Sequence, residues 1–279
     1  MLAFTPRAIA ALLAIGVAAP FAAHADSGRL EAHYIASIAG IPIGKGTWTI
    51  NITEGQYAAA ASGMTTGLMR VFAGGEGTSM SRGVFASGKL MLVDYTATVK
   101  MKDKTDEVRF LLNAGTVKNL SVEPPVTPDH DRIPVTEAEK HGVIDPMTAS
   151  LVRVNGEATS PEGCQRTVAV FDGRMRYDLR LAYKRVDHVK AEKGYQGPVL
   201  VCSVFFSPIA GHIPTRAAIK YLAEQHDMEV WLAPITGTHV LVPYRMQAPT
   251  PIGPAVLEAT HFVTMAQPAR PTSASAKTQ

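Results

Sequence analysis

Apolar and polar residues alternate along most of this chain with a period of two. In the stretch 176–184, Tyr177, Leu179, Leu181 and Tyr183 fall on one side, and Arg176, Asp178, Arg180 and Lys184 on the other. Trp48, Ile50 and Ile52 are in phase, as are Met228, Val230 and Leu232, and Val240, Val242, Tyr244 and Met246. Successive strand side chains point to opposite faces, so each stretch predicts a half-buried strand. Shorter runs near 30–38, 56–62, 90–100, 106–112, 116–122, 164–171, 199–207 and 254–264 bring the set to roughly a dozen strands. Turn signals separate them at Lys102–Lys104, Asn113–Gly115 and Phe171–Gly173. Helical signals are few. Thr65–Phe72 is a short candidate. Asp145 as N-cap and Pro146 at the first helical position predict a helix over Met147–Val154. Thr215 caps a third, Arg216–Gln225, where Ala218, Ile219 and Leu222 form a stripe suited to core packing.

Without regular strand–helix alternation, a parallel doubly wound sheet is excluded. The expected fold is mainly β: a large curved antiparallel sheet forming an open barrel or spiral, with two or three short helices. Its inward set should include Trp48, Ile50, Leu179, Leu181, Val242 and Tyr244. Between the halves, Pro124, Pro125, Pro128 and Pro134 forbid regular structure over 123–134. That segment reads as a long connection within one sheet system, giving a single β-rich domain over 26–266. Residues 267–279 are a low-complexity polar tail, expected to be disordered.

The first 25 residues change the picture. Arg7 precedes an apolar run of about 12 residues, the length of a secretory h-region. Pro20 breaks the run, and Ala23-His24-Ala25 supplies a cleavage pattern, so cleavage is expected after Ala25. The run falls short of the ~20 residues a spanning helix needs. The protein therefore reads as exported, not membrane-spanning after cleavage, and periplasmic. In an oxidising compartment Cys164 and Cys202 are expected to pair, and closing their loop contributes at most ~3.9 kcal/mol on the chain-entropy account.

Charge and motifs mostly exclude. The 27 Lys and Arg against 24 Asp and Glu are too balanced for a phosphate-binding footprint, so no nucleic-acid partner is expected. The histidines show no HExxH or HxH spacing, and no metal or other cofactor is expected. The exported-hydrolase signatures Gly-x-Ser-x-Gly and Ser-x-x-Lys are absent. The stretch Gly63–Gly77 lacks the Gly-Lys-Ser/Thr ending of a phosphate loop and reads as a flexible corner around a short helix. Asp94, Asp145, Asp172 and Asp178 are scattered acids; Asp145 is better explained as a helix cap and Asp172 as a turn residue. No catalytic residue is assigned.

Several landmarks in order resemble the bacterial DUF3108 family of exported proteins. They are Tyr34 with Gly40 and Gly44, Tyr57 to Gly67-Leu68, Asp145-Pro146 with the following Met-Thr-Ala-Ser, and Phe171-Asp172-Gly173 with Tyr177 and Leu179. Glu229-Val230-Trp231, Pro243-Tyr244-Arg245 and Pro251-Ile252-Gly253 complete the series, which spans roughly 30–264. The resemblance implies compartment and fold, and no catalytic set. Its β-rich architecture is similar to the unclosed sheets of periplasmic lipoprotein carriers, which hold an acyl chain in a concave face. The functional expectation is a non-enzymatic cell-envelope protein that binds a lipid, lipoprotein, glycan or partner protein. Two alternatives stand beside it: a structural module of an envelope assembly, and a hydrolase of envelope polymers with a dispersed site.

Overall fold

The computed structural model describes residues 27–67, 74–86 and 89–267. The segment expected to be a signal, with its expected cleavage after Ala25, and the tail beyond Gln267 lie outside the described residues. The first half of the chain forms β1 (Gly28–Ile38), β2 (Ile41–Thr53), β3 (Gln56–Thr65), β4 (Gly75–Ala86), β5 (Lys89–Met101), β6 (Lys104–Asn113) and β7 (Thr116–Glu123). The second half adds β8 (Val152–Arg153), β9 (Arg166–Phe171), β10 (Arg176–Lys190), β11 (Lys193–Gly194) and β12 (Gln196–Ala210). It ends with β13 (Met228–Pro234), β14 (Val240–Ala248) and β15 (Ala255–Ala266).

All belong to one 15-stranded sheet, ordered β7-β6-β5-β4-β3-β2-β1-β15-β14-β13-β12-β10-β9, with β8 on β14 and β11 on β15. The strands along this path pair antiparallel, so the first half is a meander of consecutive hairpins. The chain then crosses through 124–151, and the second half returns until β15 pairs with β1. Bulges in β2, β5, β10, β12 and β15 add to the right-handed twist and curl the sheet.

The curl brings the two edge strands, β7 and β9, near each other without pairing them. The segment after the Pro-rich connection fills the seam. Val143 N donates to Gly115 O in the β6–β7 turn at 3.0 Å, and Ile144 N donates to Ala169 O of β9 at 2.9 Å. The β9–β10 turn packs on β6. Phe171 stacks on Phe110 at 5.5 Å between centroids, and Arg174 pairs with Asp106 at 3.1 Å. Gly173 sits there with φ of 96°, and a Cβ on it would lie 2.1 Å from Val108 Cγ1, so only glycine fits. The result is a rolled, unclosed antiparallel sheet, mainly β as expected.

Inward alternation builds the main core from Leu30, Ile50, Val93, Phe110, Val242, Tyr244 and Phe262, with Trp48, Tyr34 and Tyr57 around them. A second cluster lies on the other face of β12–β14: Val152, Val154, Cys164, Leu200, Cys202, Leu232 and Leu241. Val199 and Val201 enter the first cluster, Leu200 and Cys202 the second. Burial of both faces explains the unbroken apolar run there. The Cys164 and Cys202 sulfurs lie 2.03 Å apart, with Cα atoms at 5.4 Å, inside this second cluster.

Several expectations need correction. Leu181 is only half-buried and packs against the second cluster, so it and the in-phase Leu179 are outside the main core, unlike Trp48, Ile50, Val242 and Tyr244. A bulge follows Tyr183, which is 44% exposed and does not share a buried face with Leu181. Met246 also departs from its in-phase partners at 41% exposure. The helix expected over Met147–Val154 stops at Ala149, because Val152 and Arg153 are drawn into a ladder with β14. The third helix is Ala217–Ala223 with Arg216 at its N-cap, not Thr215, and it buries no residue fully, so its stripe is not a core element. Gly63 lies within β3, which ends at Thr65, and Gly75 and Gly77 lie within β4, so the two ends of that stretch are strand. Residues 68–73 lie outside the described residues.

Candidate functional site

The helix Pro146–Ala149 sits within the roll, and Asp145 holds it there. The fully buried Asp145 carboxylate accepts through Oδ1 from Met147 N at 2.9 Å and Thr148 N at 3.0 Å. Thr148 Oγ1 donates to Oδ2. Thr148 gives its one hydroxyl proton to that carboxylate, which orients the rest of the chain of hydroxyls: Tyr57 OH donates to Thr148 Oγ1, and Ser81 Oγ, at 3.0 Å, donates to Tyr57. Burial pushes the Asp145 carboxyl above its usual range, and burial with the nearby Asp145 charge pushes Tyr57 far up. Burial likewise raises Tyr95 to about 12. Asp172, the other acid assigned a local role, accepts from Arg174 N and Met175 N at 2.8 and 2.7 Å in its turn.

This buried helix divides the interior. Met147 borders one cavity and Thr148 another. The first, about 440 Å³, is bordered by Gly46 and Gly63, which lie opposite each other on β2 and β3; Gly77 of β4, opposite Gly63, extends the row of glycines past the cavity. They occupy inward-facing positions in phase with Trp48 and Ala61. A Cβ on Gly63 would meet nothing closer than Lys45 O at 3.6 Å, and one on Gly77 nothing closer than Thr98 O at 3.6 Å. Packing does not demand glycine at these two positions; the missing side chains leave room. Tyr34, Trp48, Ala61, Met147, Pro243 and Leu257 complete an apolar wall, with exposed Lys45 the one charged residue around it. Tyr34 OH donates to Pro243 O at 2.7 Å, closing one side. The Trp48 indole N–H is buried with no acceptor among the described residues.

The second cavity, about 620 Å³, lies at the β2–β3 turn end, with Tyr57 and Thr148 in its wall and Arg153, Arg166 and His239 around it. A third depression of about 790 Å³ runs over the outer face of the same glycine strands, where His33, Lys45, Thr47, Ser62, Glu76 and His261 stand beside Ile35 and Met64. Among the described residues, Asp129, His130 and Asp131 bring potential metal-ligating atoms within 4.8 Å of one another, all exposed and consecutive in the chain. No described helix is long and apolar enough to cross a membrane.

Sequence reasoning placed Asp145, Asp172, Trp48 and Tyr34 but missed the glycine row and Arg166. Glycines inside strand-like stretches were the available signal for the row; their mutual register was not.

A rolled antiparallel sheet with unfilled space on both sides of a pinned interior helix defines a β-barrel-like protein. The family model of DUF3108, protein of unknown function, matches residues 31–260, and the chain belongs to that family. A solved structure, the β-barrel-like protein of domain of unknown function DUF1849 from Brucella abortus, aligns with a TM-score of 0.49 at 9% identity. The alignment covers 86% of this chain and 98% of that one. No curated protein matches the sequence.

Proposed function

We propose that this is a periplasmic cell-envelope protein, exported with loss of residues 1–25, that binds an acyl chain in the apolar cavity beside Gly46 and Gly63. The supporting observation is the glycine row itself: at Gly63 and Gly77 a side chain would fit and none is present, and the space beside Gly46 and Gly63 lies open under an apolar wall. A volume of about 440 Å³ falls within the ~300–1,000 Å³ of small-ligand sites. Such a cavity suits a slender alkyl chain better than a folded partner. Each methylene buried there contributes about 0.8 kcal/mol. The Asp145 relay acts as the pin that keeps Met147 in the cavity wall.

The two tryptophans provide the test. Trp48 lines the cavity, whereas Trp231 donates its indole N–H to Asp187 at 3.1 Å, away from it. A brominated long-chain alcohol added to delipidated protein should quench only part of the emission, and Trp48→Phe should remove the quenchable part. Saturable quenching that survives in Trp48→Phe, or no saturable quenching, refutes the reading.

A further inference from the structure

The second cavity contains a cation that no described residue neutralises. Arg166, at the start of β9, is partly buried, yet has no hydrogen bond, ion pair or ring contact among the described residues. Other half-buried arginines of the fold are matched: Arg174 with Asp106, Arg176 with Asp178, Arg245 with Glu258. Desolvation alone shifts Arg166, downward, with no charged neighbour to offset it. A partly desolvated guanidinium without a counter-charge is less favourable than a paired one, and it presents a planar fork suited to two oxygens of one anion. Arg153 from β8 and His239 before β14 border the same cavity; Glu54, exposed in the β2–β3 turn, is its one acid. Ile52, Phe85 and Leu90 supply an apolar part of the wall, beside the hydroxyls of Tyr57 and Thr148.

We infer that this cavity is a second ligand site, separate from the glycine-row cavity, and that it takes an amphiphilic anion: a carboxylate or phosphate on Arg166, with its apolar body against Ile52, Phe85 and Leu90. The buried helix lies between the two sites, with Met147 facing one and Thr148 the other. Charge recognition belongs here, because the glycine-row cavity has only the exposed Lys45 around it.

Calorimetric titration of the full mature chain with laurate, dodecyl phosphate and dodecanol tests this, in wild type and in Gly63→Val, which fills the other cavity. At least one anion should bind Gly63→Val at least tenfold more tightly than dodecanol, and Arg166→Gln should remove that preference with melting temperature unchanged or raised. Preference for laurate identifies a carboxylate ligand; preference for dodecyl phosphate identifies a phosphate headgroup. Equal affinity for the alcohol and both anions in Gly63→Val overturns the inference, as does an anion preference that persists in a folded Arg166→Gln. If Arg166→Gln is destabilised, Arg166→Lys distinguishes the cases: it keeps the charge but not the fork, so the preference must shrink without vanishing, and a folded Arg166→Lys with the preference unchanged or wholly absent also overturns the inference. Loss of alcohol binding in Gly63→Val reports separately on the glycine-row site, so the two readings can fail independently.

Discussion

Replacing Gly63 by valine should leave the fold intact while closing the acyl cavity. Gly63 lies within β3 and has no positive φ, so valine incurs no backbone strain. Its register partners on both sides, Gly46 and Gly77, have no side chains to meet the new methyls. The nearest atom to a new Cβ is Lys45 O at 3.6 Å, ordinary contact distance. A β-branched residue in a strand is better than glycine by up to about 1 kcal/mol, so stability should hold or rise. The three added carbons occupy space that about three ligand methylenes would otherwise fill. At about 0.8 kcal/mol each, that is a loss of roughly 2.4 kcal/mol, or about 50-fold in affinity. Quenching of Trp48 by the brominated alcohol measures the affinity, and a thermal melt measures the stability. A stable Gly63→Val that binds the alcohol within about threefold of wild type, a change below ~0.7 kcal/mol, refutes the assignment of the chain to this cavity. A loss of more than about 2 kcal/mol in stability would show that the space above Gly63 is already filled.

Two further predictions concern the scaffold. Reduction of the Cys164–Cys202 pair should lower the melting temperature by about 8–15 °C at most, from a loop-closure contribution of up to ~3.9 kcal/mol. Peptide mapping without reductant must show the linked peptides, and two alkylatable thiols in freshly exported protein would remove the basis for the effect. The second prediction is alkaline unfolding. Burial raises Tyr34, Tyr57, Tyr95, Tyr177 and Tyr244 above the ordinary value of 10, with Tyr95 and Tyr244 at about 12. A raised folded value means stability is complete below pH 10 and is lost as pH climbs through the folded values. Tyrosinate absorbance and circular dichroism should therefore change together above pH 10; tyrosines that all ionise near pH 10 in a protein that stays folded would contradict the burial argument.

Period-two alternation along the chain determined that the protein is mainly β and where most strands lie, because alternation is a local consequence of strand geometry. The Asp145-Pro146 cap was legible for the same reason: its hydrogen bonds close within three residues. Alternation also implies two faces, but not what each face meets. Leu181 and Val242 look alike in sequence, yet Val242 enters the main core and Leu181 packs on the second cluster, because β12–β14 are covered on both sides. The helix after Pro146 stops short because β14 recruits Val152, a partner that lies about 90 residues away in the chain. Gly46, Gly63 and Gly77 are separate glycines until pairing aligns them into a gap in the side-chain layer. Arg166 is one arginine among many until folding partly buries it with no anion beside it among the described residues. Local geometry determines the elements. Register and burial, which depend on distant residues, decide the cavities and therefore the chemistry.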